Sequence, residues 1–273
     1  METSIGKSKK AHAILNNKSY WKGAFDKNHP DTARHYSMLQ SGLELVKHLE
    51  PESLLTIGDN LARDAGFFKH NLPRCMCTAS DLETSGLKQV IQEGYVDKIQ
   101  NIDVENIDYP DCSVDIVVAK EAFHHWPRPM LGLYEMLRVA RRAILLIEPN
   151  DVFRGSSVEP HCSPDAYSDQ YEEVGNYKYQ ISVRELLKAA WSLYLPMCAT
   201  IGLNDPYKTP FCIEDWRREK EALDQLGNNG VRQFNLFAVA IYKDFFDPAV
   251  FNVESNIRYY LRPLNPYDKN DHL

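Results

Sequence analysis

The sequence predicts an α/β protein built on a doubly wound, mostly parallel sheet. Short apolar runs alternate with helix-period segments of about ten or more residues, the order that a parallel sheet with crossover helices requires. The first run, "SLLTIG" (53–58), closes on a glycine, as a strand entering a tight turn does. A second run ends just before Asp81, about 20 residues beyond Gly58, the spacing at which an acid reaches a ribose diol in such sheets.

The elements follow in order. A helix is expected over "DTARHYSMLQSGLELVKHLE" (31–50), with Tyr36, Leu39, Leu43, Val46 and Leu49 on one face and Asp31 as its N-cap. After the first strand come a helix over "NLARDAGFFKH" (60–70) and a strand over "RCMCTAS" (74–80). A helix over "LETSGLKQVIQEG" (82–94) then leads to strands over "VDKIQNID" (96–103) and "SVDIVVAKEA" (113–122). A helix over 128–140, "RPMLGLYEMLRVA", feeds a fifth strand, "RAILLIEP" (142–149). The stretch from Asn150 to about residue 180 has no period and is rich in Ser, Pro, Asp and Tyr, the mark of a lid or binding loop. A helix (182–193), a strand (195–203), a charged helix (213–227) and a long strand (231–243) complete the alternation. This gives an N-terminal helical cap over 1–49, a core domain over 50–245 with a lid-like insertion at 150–180, and a C-terminal tail over 246–273 packed on the surface.

Composition narrows the class. The 273 residues carry a net charge of −7, with 44 % hydrophobic and 25 % charged residues, as in ordinary soluble domains. A nucleic-acid partner would call for a basic face, which this balance does not supply. No apolar stretch approaches the ~20 residues of a membrane span, and the first residues lack the apolar core of a secretion signal, so a cytoplasmic protein without a membrane partner is expected. The six cysteines are scattered, with no metal-binding spacing, and no metal is expected. A homodimer is compatible with the sequence.

The turn after the first strand decides what cofactor fits. A dinucleotide needs G-x-G-x-x-G to admit its pyrophosphate, whereas this turn reads Gly58-Asp59-Asn60-Leu61-Ala62, with an acid that would repel phosphate. A cofactor without phosphate and with a positive centre suits it better, and S-adenosylmethionine (SAM) is such a molecule.

Further along stand Asp103-Val104-Glu105, Tyr109-Pro110-Asp111, Val114-Asp115 opening the fourth strand, His124-His125, and Glu135-Met136-Leu137-Arg138-Val139. This series closely resembles the central motifs of class I SAM-dependent methyltransferases, in register over about Leu54 to Asp151 and more loosely to Lys243. A weaker likeness is to enzymes of bacterial polysaccharide and sugar modification. The resemblance implies a Rossmann-like sheet of seven strands, the last antiparallel, with helices on both faces. It implies SAM as cofactor and a small-molecule acceptor, with a hydroxyl of a sugar or nucleotide sugar leading. The family usually has an acid two residues before the first glycine and glycines two and four after it; here Thr56, Asn60 and Ala62 stand there. Asn60 tolerates a left-handed backbone and is expected to keep the turn's shape, while Asp59 or Asp64 takes the missing acid's contact.

By the same resemblance, Asp81 meets the ribose hydroxyls with Leu82 beside it. Asp103 reaches the adenine amino group, Val104 offers its amide and Glu105 completes the triplet, while Lys120 lies at the methionine end. Asp81 has a simpler reading as a helix cap, and Asp115 a structural one. Methyl transfer to a hydroxyl calls for a base, for which His124 is expected ahead of His125, then Glu148, with His161 in the long loop behind them; Arg154 in the same loop could hold a phosphate or carboxylate. A methyltransferase-like binding protein without chemistry is the main alternative, given the substituted turn; a dinucleotide oxidoreductase is disfavoured by the missing glycines.

Overall fold

The computed structural model describes residues 25–26, 29–151, 177–206, 212–251, 256–267 and 271, and the expectations for Arg154 and His161 lie outside them. Helix α1 (Pro30–Val46) precedes β1 (Ser53–Ile57), α2 (Arg63–Asn71), β2 (Met76–Asp81), α3 (Lys88–Gln92) and β3 (Lys98–Asn101). Then come β4 (Val114–Lys120), α4 (Pro129–Val139), β5 (Ala140–Pro149), α5 (Val183–Ser192), β6 (Met197–Leu203), α6 (Ile213–Asn228), β7 (Leu236–Tyr242) and β8 (Ile257–Leu261). The strands lie side by side in the order β3-β2-β1-β4-β5-β7-β6-β8. The first five pair in parallel, while β7 runs antiparallel to β5 and β6, and β8 antiparallel to β6.

Two of these features correct the sequence reading. The sheet has eight strands rather than seven, and the antiparallel strands number two. The eighth comes from the stretch expected as a surface tail: "IRYYL" lies on the sheet edge, where one side of the backbone ladder suffices and no strong apolar run is needed.

The core splits by the two-residue period of the strands. Leu54, Ile116, Val118, Leu145 and Ile147 face the layer that holds α1 and α2; Leu55, Val117, Ile144 and Leu146 face α4 and α5. All seven residues of β4 are buried, as a central parallel strand demands.

Helix α1 packs into this core. Leu39, Leu45 and Val46 are wholly buried, and the Tyr242 hydroxyl on β7 donates to the Leu45 carbonyl at 2.6 Å. The helix starts one residue earlier than expected, with Pro30 in its first turn and His29 as cap. Asp31 is thereby freed from capping and turned to another use. The helix expected over 82–94 shrinks to α3 behind a single 3-10 turn, Ser85–Leu87, because Thr84, Ser85 and Gly86 are weak helix formers. Helix α5 carries a full capping box, Ser182 with Glu185. No described helix is long and apolar enough to cross a membrane.

Candidate functional site

Strand order reverses at β1, which has β2 on one side and β4 on the other. Beyond the carboxyl ends of these strands the chain diverges and leaves a crevice. A cavity of about 350 Å³ occupies it, walled by the turns after β1, β2, β3 and β4 and by one face of α1.

The β1 turn is shaped by sterics and by one carboxylate. Gly58 has φ +73°, and a Cβ there would lie 2.7 Å from the Ala122 Cβ, so only glycine lets the β1 and β4 turns approach this closely. Asp59 folds back into its own turn. Its carboxylate accepts from the Thr56 hydroxyl (2.9 Å) and from the Asp64 and Ala65 amides (3.2 and 2.8 Å), satisfying two donors at the start of α2. Burial, followed by the neighbouring Asp64, pushes its pKa up to about 7 against these three donors. Besides Gly58, the left-handed residue of the turn is Ala62, at φ 54°, and not Asn60 as the residue types suggested. Asp59 fixes the cause: by holding the amides of residues 64 and 65, it forces the reversal onto the residue just before the helix. Thr56 does not line the cavity; it supports Asp59 from below.

The β2 and β3 turns supply the second wall. Asp81, Leu82, Asp103, Val104 and Glu105 all line the cavity, and Asp81 is 2 % exposed at the end of its strand. The Asp103 carboxylate accepts from the Glu105 amide at 3.0 Å, closing a small turn. Glu105 is held by Arg128, whose amide, Nε and one terminal nitrogen donate to it at 3.0, 3.1 and 2.6 Å. It therefore braces the wall and spends its charge internally.

The third wall is an ion network that α1 lowers onto the end of β4. Lys120 Nζ lies 3.0 Å from Glu121, 2.9 Å from His35 Nδ1 and 3.8 Å from Asp64. Glu121 also meets His35 (3.1 Å) and Arg34 (3.4 Å), and Arg34 pairs with the buried Asp205 beyond β6. Arg63 donates to Asp31 at 2.8 Å. Burial works against each charge, yet the partners win. Lys120 is held above its ordinary pKa by Asp64 and Glu121, and Glu121 well below its own by Lys120, His35 and Arg34. Glu121 has φ 49°, a left-handed conformation that a non-glycine residue adopts only when its surroundings impose it. Sequence reading missed Asp31, His35 and Arg63. Their signal was the polar stripe Asp31-Arg34-His35 at helical spacing, but nothing in the sequence says which surface that stripe meets.

The proton-acceptor candidates separate. Glu148 is 1 % exposed and lies outside the cavity lining, accepting from the Ala122 and Phe123 amides (2.8 and 2.9 Å) and facing His124 Nδ1 at 2.6 Å. His124 is turned into the same buried cluster and does not line the cavity either. His125 does, its ring centroid 3.9 Å from that of His124. The pair His124–Glu148 thus anchors the 3-10 turn that presents His125 and Trp126 to the crevice.

Among the described residues, seven carboxylates line the cavity against two cations, Arg63 and Lys120, with Glu105 paired to Arg128 and Glu121 to the Lys120 network. Such a site favours a ligand with a positive centre and disfavours one carrying phosphates.

Comparison with known proteins fits this geometry. A family model described as "Methyltransferase domain" matches residues 60–147. No curated protein matches the chain. Among solved structures, the YcgJ protein from Bacillus subtilis superposes with TM-score 0.50 at 16 % identity, over 78 % of this chain and 99 % of that one. A SAM-dependent methyltransferase from Thermotoga maritima, described as a possible histamine N-methyltransferase, gives 0.50 at 15 %, over 77 % and 91 %. The (4+2)-cyclase SpnF gives 0.54 at 13 %, over 89 % and 97 %. At these identities the structural likeness shows the fold.

Proposed function

We propose that this chain, an enzyme of the SAM-dependent methyltransferase type by its domain match and fold, methylates a small polar acceptor held over the β4 turn. One observation carries the reading: Gly58, Asp81 and Asp103, from three different turns, converge on one cavity at the point where strand order reverses.

The residues fit the cofactor. The Gly58 turn approaches without a side chain and has no phosphate cradle, and the lining is acidic. In this reading Asp81 accepts from ribose hydroxyls, Asp103 from an exocyclic amine, and the Val104 amide meets the purine ring, with Leu82 beside the sugar; all four line the cavity. Asp64 and Lys120, 3.8 Å apart, also line the cavity. When bound, SAM supplies an electrophilic methyl group. The protein's part is to hold the acceptor atom in line and to exclude water. His125 is the histidine of the candidate pair that faces the crevice, and it takes the proton from a hydroxyl acceptor. The net acidic lining supports an uncharged polyol or sugar over a nucleotide sugar, whose diphosphate it would repel.

A second reading, a binding protein without chemistry, is favoured by the inward turn of His124 and Glu148. Methyl transfer from labelled SAM into a panel of sugars, nucleotide sugars and amines separates the two. The expected result is transfer to uncharged sugars that falls at least about tenfold in His125→Ala. Cofactor binding without transfer to any acceptor class would support the binding protein instead.

A further inference from the structure

Strand β8 ends the sheet on the side away from the cavity. It pairs with β6, and among the described residues no strand lies beyond it. The ladder shows which of its backbone groups are spent. The Arg262 amide donates to the Pro196 carbonyl at 2.9 Å, and the pairing of β8 with β6 continues from there without a shift. Bonded positions alternate in an antiparallel ladder, so Arg258 and Tyr260 turn their amides and carbonyls toward β6. Ile257, Tyr259 and Leu261 turn theirs outward and leave an open edge.

Such edges are usually blunted by lysine, proline or a bulge, and "IRYYL" carries none of these. Apolar surface surrounds it instead. Tyr259 is 52 % exposed and Tyr267 94 %, with Leu261 and Leu264 exposed between them. Tyr194, 59 % exposed, adjoins this patch: the Arg262 guanidinium lies 5.0 Å from its ring, and the Asn265 side-chain amide donates to its hydroxyl at 3.5 Å. The three tyrosines alone offer roughly 400 Å² per copy, about half of the ~800 Å² that each partner gives to a standard interface.

We infer that this edge joins two copies of the chain, β8 pairing antiparallel with β8 of the second copy about a two-fold axis through Tyr259. The strand's own symmetry selects the occupant. That axis sets Ile257 against Leu261 of the second copy and Tyr259 against its counterpart, so every outward amide of the strand meets an outward carbonyl. The side chains match as well: aliphatic meets aliphatic, tyrosine meets tyrosine, and the Arg258 guanidinium meets the Tyr260 ring of the second copy. Moving the axis toward the end of the chain brings in Pro263, which has no amide to donate, and this fixes the register. The joint lies four strands from β4, so each cavity stays open. The inference is independent of the methyl-transfer reading.

The test is sedimentation velocity of the full chain over about 1 to 100 μM. Wild type is expected as a dimer, with monomer appearing only on dilution. Tyr259→Lys and Tyr259→Glu each place two like charges across the axis, and each should weaken the dimer at least about tenfold. Because Tyr259 faces its own counterpart, an equimolar mixture of the two variants should recover the dimer, which also shows that both fold. Wild type monomeric across the range would overturn the inference. So would a dimer unaffected by either substitution, or variants that remain monomeric when mixed.

Discussion

Glu148→Ala lowers the stability of the folded chain by about 3–5 kcal/mol, with a fall in the thermal midpoint of roughly 10 °C. The carboxylate is 1 % exposed and takes three donors: the Ala122 and Phe123 amides and His124 Nδ1. Truncation leaves all three buried and unmet, which is the costly half of the hydrogen-bond asymmetry. Glu148→Gln keeps the shape and one carbonyl for the two amides, so about 1–2 kcal/mol is expected. The site suffers as well as the fold, because the turn that these bonds fix is the one that presents His125 and Trp126 to the cavity. Thermal denaturation of both variants checks the ordering. A Glu148→Ala protein as stable as wild type would show that the cluster does not hold the turn.

Gly58→Ala costs roughly 2–5 kcal/mol through two separable effects. The left-handed backbone at φ +73° charges an alanine about 1–2 kcal/mol. The new Cβ would also meet the Ala122 Cβ at 2.7 Å, and overpacking of this kind adds about 1–3 kcal/mol. Gly94 is the internal control: its φ is +74°, but nothing lies within 4 Å of a Cβ there. Gly94→Ala should therefore show the backbone cost alone. Adding Ala122→Gly to Gly58→Ala removes the collision and restores that part, a coupling that chemical denaturation of the four proteins measures directly. Additive effects would mean that the two turns do not touch.

Much of this fold was legible because period and punctuation agree. "SLLTIG", "SVDIVVAKEA" and "RAILLIEP" are apolar runs too dense for one-sided strands, and each forms a buried strand of the parallel sheet. The residues at the strand ends were legible for the same reason: once β1 and β2 are placed, Gly58 and Asp81 fall at their carboxyl ends. What stayed hidden depends on rotation and on contacts between distant segments. Which of two adjacent histidines faces the crevice is set by a single 3-10 turn that Glu148 ties down from 24 residues away, so the sequence reading ranks His124 first while it is His125 that lines the cavity. The left-handed position in the β1 turn follows from where Asp59 finds its amides, and that overrides the preference of Asn60. The alliance of α1 with β4, through Arg34 and His35 on Glu121, spans more than eighty positions and leaves no local trace beyond a polar stripe.

The central claim is that SAM binds where the turns of β1, β2 and β3 converge, with Asp81 on its ribose. Calorimetric titration of the wild-type chain and of Asp81→Ala with S-adenosylhomocysteine tests it most directly. The expected result is micromolar binding by wild type, weakened about a hundredfold when the charged acceptor of two hydroxyl groups is removed. No heat of binding in folded wild-type protein, or unchanged affinity in Asp81→Ala, would contradict it.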